Sequence, residues 1–302
     1  MDITHGLTLS KAVKDKNTPL RKFLAERFPD TRAIRQEYKG RTGELLVDSL
    51  GAPSTTTGTA MDLAIRFMLD PTDVPQSARI LFHSIKGYTD TVDELAAAAG
   101  AAVGTGEASS ETFARAVWGL ALCVTAHRVG LAAPSVVFDL LGERNFNAST
   151  MMAQASPIAV QELTALGNLA SRRLVPALER PFHLGPEFDA SRRNGPGDGR
   201  LIAAEADLIC NGLLLDIKTK LGTKNPKSGI RSDALAIDDL YQLLAYALLD
   251  HSDTYGISSL GIYSARYGAL VTWPLEHLTS TTAGGPVDFP EAREQIRAML
   301  LA

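Results

Sequence analysis

Residues 205–220, EADLICNGLLLDIKTK, set the strongest constraint on how this chain folds. Two short apolar runs flank Asn211-Gly212, and an Asn-Gly pair supplies the two positive-φ residues that a tight hairpin turn requires. The stretch reads as two antiparallel strands. Side chains alternate along a strand, so Asp216 and Lys218 leave one face while Leu215 and Ile217 leave the other. Asp207, on the first strand, comes within reach of both across the hairpin. The period then changes from two to 3.6. Asp239–Asp250, DLYQLLAYALLD, reads as an amphipathic helix in which Gln242 and Tyr246 share a face while Leu243, Leu244, Ala247 and Leu248 pack inward. Two carboxylates, a lysine, an amide and a phenol are expected to converge.

The segments around this centre extend the pattern. Ser156-Pro157 is a helix start, an N-cap followed by proline at the first helical position, and the helix runs to about Leu174 with Leu163, Leu166, Ala170 and Leu174 on its buried stripe. Glu162 lies at the margin of that stripe. It reads either as a partly buried acid facing a site or as a surface carboxylate beside the first-turn dipole. Phe182–Asp189 is expected as a strand, 191–200 as a loop, and Leu201–Cys210 as the strand carrying Asp207. After the hairpin, TKLGTKNPKSGIRS at 219–232 sets Lys220, Lys224, Lys227 and Arg231 among glycines and a proline. It reads as a flexible loop that holds phosphates, or as an ordinary solvated loop. A second hairpin, Gly256–Ser264 with Ala269–Pro274, turns around Arg266-Tyr267-Gly268, and a helical tail follows Pro286.

The first 150 residues read as mainly helical and contain no catalytic motif. Ala52–Thr59 is a loop by composition, and Met61–Leu69 a helix stopped near Pro71. Ser109 or Ser110 caps a long helix through about His127, and Pro134–Leu141 adds another. The small, polar stretch 148–156 is taken as a domain junction. It leaves a helical region at 1–150, suited to binding DNA or a partner protein, and a second domain at 151–302.

Charge is distributed unevenly. The chain carries −4 overall, yet residues 1–41 hold ten Lys and Arg against five Asp and Glu, a local +5 that leaves −9 for the remainder. Indiscriminate coating of nucleic acid is thereby disfavoured, while a local basic surface is not. Arg21, Lys22, Arg27, Arg32, Arg35, Lys39 and Arg41 form either a phosphate-contacting face or a solvated helix surface whose aliphatic stems cover apolar neighbours. The longest apolar run, Ala116–Ala126, is about half the ~20 residues that cross a bilayer, and the N-terminus has no signal-like apolar core. A cytoplasmic protein without membrane partners is expected. Cys123 and Cys210 have no partner at metal-ligand spacing and read as buried thiols, and the six histidines form no HxH or HExxH pair, which argues against zinc.

Asp207 and Asp216, with the backbone carbonyl of Ile217, are the kind of oxygen donors that Mg²⁺ or Mn²⁺ takes, usually one or two carboxylates with water completing the shell. Lys218 would stand beside the cation's water, to orient it, to share developing charge, or to act as a base if its neighbours depress its pKa.

The order of these elements, a helix with an acid, a strand, a strand with Asp, a strand with D-x-K and a helix with Q-x-x-x-Y, resembles the PD-(D/E)xK nuclease superfamily, specifically its RecB-type and phage-exonuclease-like branch. The resemblance covers roughly residues 156–275. It implies an α/β (α+β) fold with a restriction-endonuclease-like core, a central mixed sheet flanked by helices, preceded by the mainly helical region. It further implies that Asp207 and Asp216 are metal ligands, that Lys218 is the catalytic lysine, and that Gln242 and Tyr246 contact DNA or support the site. Glu162 takes the place of the helical acid, as a third ligand, by location alone. The activity implied is Mg²⁺- or Mn²⁺-dependent hydrolysis of DNA phosphodiester bonds, in restriction, phage defence, recombination or repair. Two departures stand out: Ala206 precedes Asp207 where the superfamily's name has proline, and no cysteine set matches the iron–sulphur ligands of some relatives. The alternative is a nuclease-like subunit that binds nucleic acid or a partner without cleaving, which the intact D-x-K disfavours.

Overall fold

Apolar runs in the second half of the chain build one mixed sheet, and helices from both halves of the chain cover its two faces. The structure is a computed structural model that describes residues 8–108, 110–130, 133–188, 202 and 204–301. The loop expected at 191–200, the strand ends Asp189 and Leu201, and the alternative cap Ser109 lie outside the described residues.

The sheet contains β1 (Phe182–Leu184), β2 (Leu208–Cys210), β3 (Leu213–Lys218), β6 (Ser259–Ser264) and β7 (Ala269–Pro274), hydrogen-bonded in the order β1-β2-β3-β6-β7. All neighbours are antiparallel except β3 and β6, which run parallel and are joined through a small hairpin, β4 (Thr223–Lys224) and β5 (Arg231–Ser232), and the helix α11 (Ile237–Leu249). A parallel pair needs such a crossover, because a tight turn can only reverse the chain. Two helices, α12 (Leu275–Ala283) and α13 (Phe289–Leu301), complete this half.

The first half is helical as expected: α1 (Leu9–Lys14), α2 (Pro19–Arg27), α3 (Arg32–Thr42), α4 (Ser54–Leu69), α5 (Gln76–Arg79), α6 (Tyr88–Gly104), α7 (Glu111–Val129), α8 (Val136–Gly142) and α9 (Ala148–Ala153), followed by α10 (Pro157–Arg173). Ser110 and Ser156 cap α7 and α10 through their side-chain oxygens. The expected loop at Ala52–Thr59 is a correction, since α4 begins at Ser54. Threonine and glycine are weak helix formers by about 0.5–1 kcal/mol each, but Thr56, Thr57 and Thr59 are buried, and tertiary packing overrides that preference.

Alternation decides which helices meet which face of the sheet. Ile209, Leu214, Leu260 and Ile262 pack with α11 and with Leu9, Leu20, Leu24, Ile34 and Tyr38 of α1 to α3. Leu208, Cys210, Leu215 and Tyr263 pack on the opposite side, against Met61 and Ile65 of α4 and Leu166 and Ala170 of α10. A third core of α4, α6, α7 and α9 is wholly helical and has Leu163 of α10 at its margin. The junction expected at 148–156 is therefore not a break in packing: Asn147 caps α9, Met151 is buried, and residues 9–38 share a core with residues 188–296. Both cysteines are buried free thiols, and burial pushes Cys123 up to about 12 and Cys210 up to about 11. Among the described residues no helix is long and apolar enough to cross a membrane.

Candidate active site

The β2–β3 turn sets the geometry of the site. Asn211 and Gly212 both adopt positive φ, 44° and 76°, as a two-residue hairpin turn demands. β2 begins only at Leu208, which pairs with Leu215, so Asp207 lies one residue before the strand expected to carry it and comes beside Asp216 from there. Asp207 Oδ2 accepts the Ile217 N–H at 2.6 Å, which ties its carboxylate to the neighbouring arm. Asp216 is only 3% exposed. The Lys218 ammonium lies 2.7 Å from Asp216 Oδ2, off the direction of a good hydrogen bond, so the contact is an ion pair of poorer geometry than its distance suggests.

α11 completes the constellation from the facing layer. Gln242 Oε1 accepts from Lys218 Nζ at 3.4 Å, while Gln242 Nε2 donates to Tyr246 Oη at 3.0 Å and to Ser10 Oγ at 3.3 Å. The Tyr246 hydroxyl donates onward to the Glu205 carbonyl at 2.9 Å, which joins the helix to the strand that leads into Asp207. Asp239, which the sequence pattern alone did not single out, lies 3.6 Å from Lys218 Nζ through Oδ1 and pairs with Lys220 through Oδ2. Its spacing was a usable signal, because positions 239, 242 and 246 fall on one helical face.

Electrostatics separate the roles. Burial pushes Asp216 up to about 7; the Lys218 charge opposes this, and the charges of Asp207 and Asp239 add to it. For Lys218, burial works against the ammonium, but Asp216, Asp239 and Asp207 outweigh it and hold the pKa above the ordinary lysine value. A lysine base with a depressed pKa is thus a correction: Lys218 is a held cation. Burial, with Asp207 and Asp216 nearby, raises Tyr246 and keeps its phenol neutral.

Glu162 is not part of this group, which corrects its expected place as a metal ligand. It is buried without exposed surface; Oε1 is ion-paired with Arg266, and Oε2 accepts the Leu50 N–H at 2.9 Å. Arg266 also donates to the carbonyls of Thr219 at 2.7 Å and Asp48 at 3.1 Å. The pair anchors the end of β3 to α10 and to the segment before α4.

The helical acid near Asp207 is instead Asp62, on α4. Its Oδ1 is sealed from solvent and has no hydrogen-bond partner among the described residues. Burial first, and the charge of Asp207 next, raise its pKa well above the carboxylate range, against the opposing charges of Arg66 and Arg128. Arg66 in turn pairs with Asp73 at 2.9 Å and meets Glu205 at 3.5 Å, and burial raises Glu205 as well. An acid four residues before Arg66 in a helix whose other residues from Ala60 to Leu69 are apolar was the available signal for Asp62.

Among the described residues no group of three or more His, Cys, Asp and Glu side chains is spaced to hold a metal ion. The donor chemistry of Asp207, Asp216 and the Ile217 carbonyl nevertheless fits one hard divalent cation, which takes one or two carboxylates and fills its shell with water. The raised Asp216, crowded by like charge in a buried place, is the group whose ionisation such a cation would favour.

The basic candidates divide. Lys220 is paired with Asp239, and Arg231 reaches the Gly222 carbonyl at 3.4 Å, whereas Lys224 and Lys227 are exposed. In the N-terminal group, Arg21 pairs with Asp238 at 2.6 Å and lies over Tyr241, Arg35 donates to the Leu235 carbonyl at 2.8 Å, and Arg41 donates to the Thr272 carbonyl at 2.9 Å. These three fasten α2 and α3 to the second half of the chain, while Lys22, Arg32 and Lys39 are solvated.

Compared with known proteins, the chain matches no protein-family model, no curated protein and no solved structure.

Proposed function

We propose that the chain is a divalent-cation-dependent nuclease that hydrolyses DNA phosphodiester bonds, built on a restriction-endonuclease-like core. The single observation that carries the reading is the convergence of Asp207, Asp216 and Lys218 from one hairpin with Gln242 and Tyr246 from the facing helix. Surface ion pairs do not need this: they are solvated and contribute little, whereas here two acids and an ammonium are held together largely out of water.

In this reading Asp207, Asp216 and the Ile217 carbonyl hold Mg²⁺ or Mn²⁺. When bound, the cation supplies Lewis acidity, lowering the pKa of a water and drawing charge from the phosphate. Lys218, kept charged by its neighbours, donates hydrogen bonds to the attacking water or to the phosphate oxygens, where a fixed cation counters the charge that develops during displacement. Gln242 aims the ammonium, and Tyr246 fixes Gln242 against the strand. Asp62 supplies a further buried carboxyl group beside Asp207. Restriction, phage defence, recombination and repair all draw on this reaction.

One observation favours the non-cleaving alternative, a nuclease-like subunit that only binds: Lys218 is held by both Asp216 and Asp239. The same assay separates the two. Purified protein is incubated with linear, circular and single-stranded DNA with Mg²⁺ or Mn²⁺, beside Asp216→Ala and Lys218→Ala. Cleavage by the wild type that both variants lose is the expected result. Equal cleavage by all three overturns the site, and no cleavage of any substrate by the wild type favours the binding subunit.

A further inference from the structure

Residues 219–232 carry four cations, Lys220, Lys224, Lys227 and Arg231, and no acid. The base of this hairpin is fixed from several sides. Arg266 donates to the Thr219 carbonyl at 2.7 Å, the Tyr267 hydroxyl donates to the Leu221 carbonyl at 2.8 Å, and Lys220 pairs with Asp239. Just past β5, the buried Asp233 accepts from the hydroxyls of Tyr38, at 2.5 Å, and Ser264. Gly222, at φ 70°, has the Ser232 carbonyl where a Cβ would stand, so the two arms close on a residue that must be glycine.

The tip is ordered by its own bonds. Asn225 N–H donates to the Ile230 carbonyl at 2.8 Å, and the Asn225 side chain accepts the Lys227 N–H at 2.8 Å and the Ser228 N–H at 3.2 Å. On this firm, solvated tip Ile230 is 66% exposed, the most exposed large apolar side chain among the described residues. A single exposed isoleucine is ordinary by itself. Here it stands across from Asn225 on an acid-free projection that also carries exposed Lys224 and Lys227 and whose root is bonded to the candidate site.

We propose that this hairpin is a duplex-engaging wedge: Lys224 and Lys227 take backbone phosphates while Ile230 enters the base stack beside the scissile region. The inference rests on the nuclease reading for the position of bound DNA. An apolar side chain on a cationic tip matches what a kinked duplex offers, an opened base step beside backbone phosphates, and phosphate contacts offset the cost of unstacking it. A polyanion is favoured over an apolar protein partner because the exposed Lys224 and Lys227 meet no acid on the hairpin, while Lys220, paired with Asp239, ties its root to the site.

The test uses the full chain in EDTA, where cleavage does not interfere, and a duplex with 2-aminopurine as the unstacking probe. The wild type is expected to bind and to raise the probe's fluorescence. Ile230→Ser is expected to bind with the same salt dependence and to lose that rise. Lys224→Ala/Lys227→Ala is expected to bind more weakly, its slope of log K against log salt reduced by about 0.9 for each phosphate that is no longer neutralised. Unstacking by Ile230→Ser equal to wild type, or an unchanged salt slope in the double variant, overturns the proposal. So does loss of anionic-vesicle binding in Ile230→Ser with DNA binding intact, which assigns the tip to a membrane. If the wild type cleaves DNA while both variants bind and unstack normally, the wedge fails and the nuclease reading stands. If the wild type neither binds duplex nor cleaves, both fail.

Discussion

Glu162–Arg266 and Asp216–Lys218 are both buried ion pairs, but only one of them is satisfied. Glu162 meets one guanidinium, and a backbone N–H fills its second oxygen, so nothing in that pair is left over. Asp216 shares Lys218 with Asp239 and Gln242, stands beside Asp207, and is raised to about 7. Burial is nearly the same for the two acids, none exposed for Glu162 and 3% for Asp216. What distinguishes a structural buried acid from a candidate catalytic one is therefore the balance of its partners. Surplus acid, held in place by the fold, is what a site for a cation and a phosphate requires.

The comparison breaks most sharply at Asp216 itself. Asp216→Asn is expected to lower cleavage by about 10³-fold or more, equivalent to about 4 kcal/mol in the barrier, while the unfolding midpoint stays level or rises because like charge has been removed. Glu162→Gln should behave in the opposite sense. It leaves the Arg266 charge buried without its partner and is expected to reduce stability by about 3–5 kcal/mol in chemical denaturation, with cleavage by the folded fraction retained.

A smaller effect follows from pH in the cation-free protein. Because burial raises Asp216 from its ordinary 3.8 to about 7, the native state between those values retains a proton that the unfolded chain has released. Stability should therefore fall as pH rises through that window, and the slope should become shallower in Asp216→Asn, with the raised Asp62 and Glu205 keeping their share. Lys218 does not blur this window, since its raised pKa loses its contribution only above the ordinary lysine range. Slopes equal in wild type and Asp216→Asn would remove Asp216 as the strained group. The smallest change is expected at Tyr246→Phe, which removes the bonds to Gln242 and the Glu205 carbonyl and costs about 1 kcal/mol in denaturation.

The legible parts of this molecule were local. Asn211-Gly212, the alternation of Asp216 and Lys218, and the shared face of Gln242 and Tyr246 depend on neighbours within a few residues, and each takes the expected form. Asp62 was missed because it meets Asp207 only through the tertiary fold, and because the threonines and glycine that open its helix read as a loop. Glu162 reads from the sequence either as a partly buried acid facing a site or as a surface carboxylate, and no local pattern says that Arg266 arrives to occupy it. The small residues of α9 read as a junction, yet α1 and α2 dock on α11 and α3 on β7 and α12, contacts that no local pattern announces. Local chemistry reveals which residues can act together, while the partners that satisfy or leave them unsatisfied come from distant chain.

Isothermal titration with Mn²⁺ near pH 6, in two buffers of different ionisation enthalpy, tests the central claim most directly. The account predicts stoichiometric binding by the wild type with net proton release, since a raised carboxyl must ionise to bind metal, and loss of that binding in Asp216→Asn. Binding that is absent from the wild type, or equal in wild type and Asp216→Asn, would contradict it.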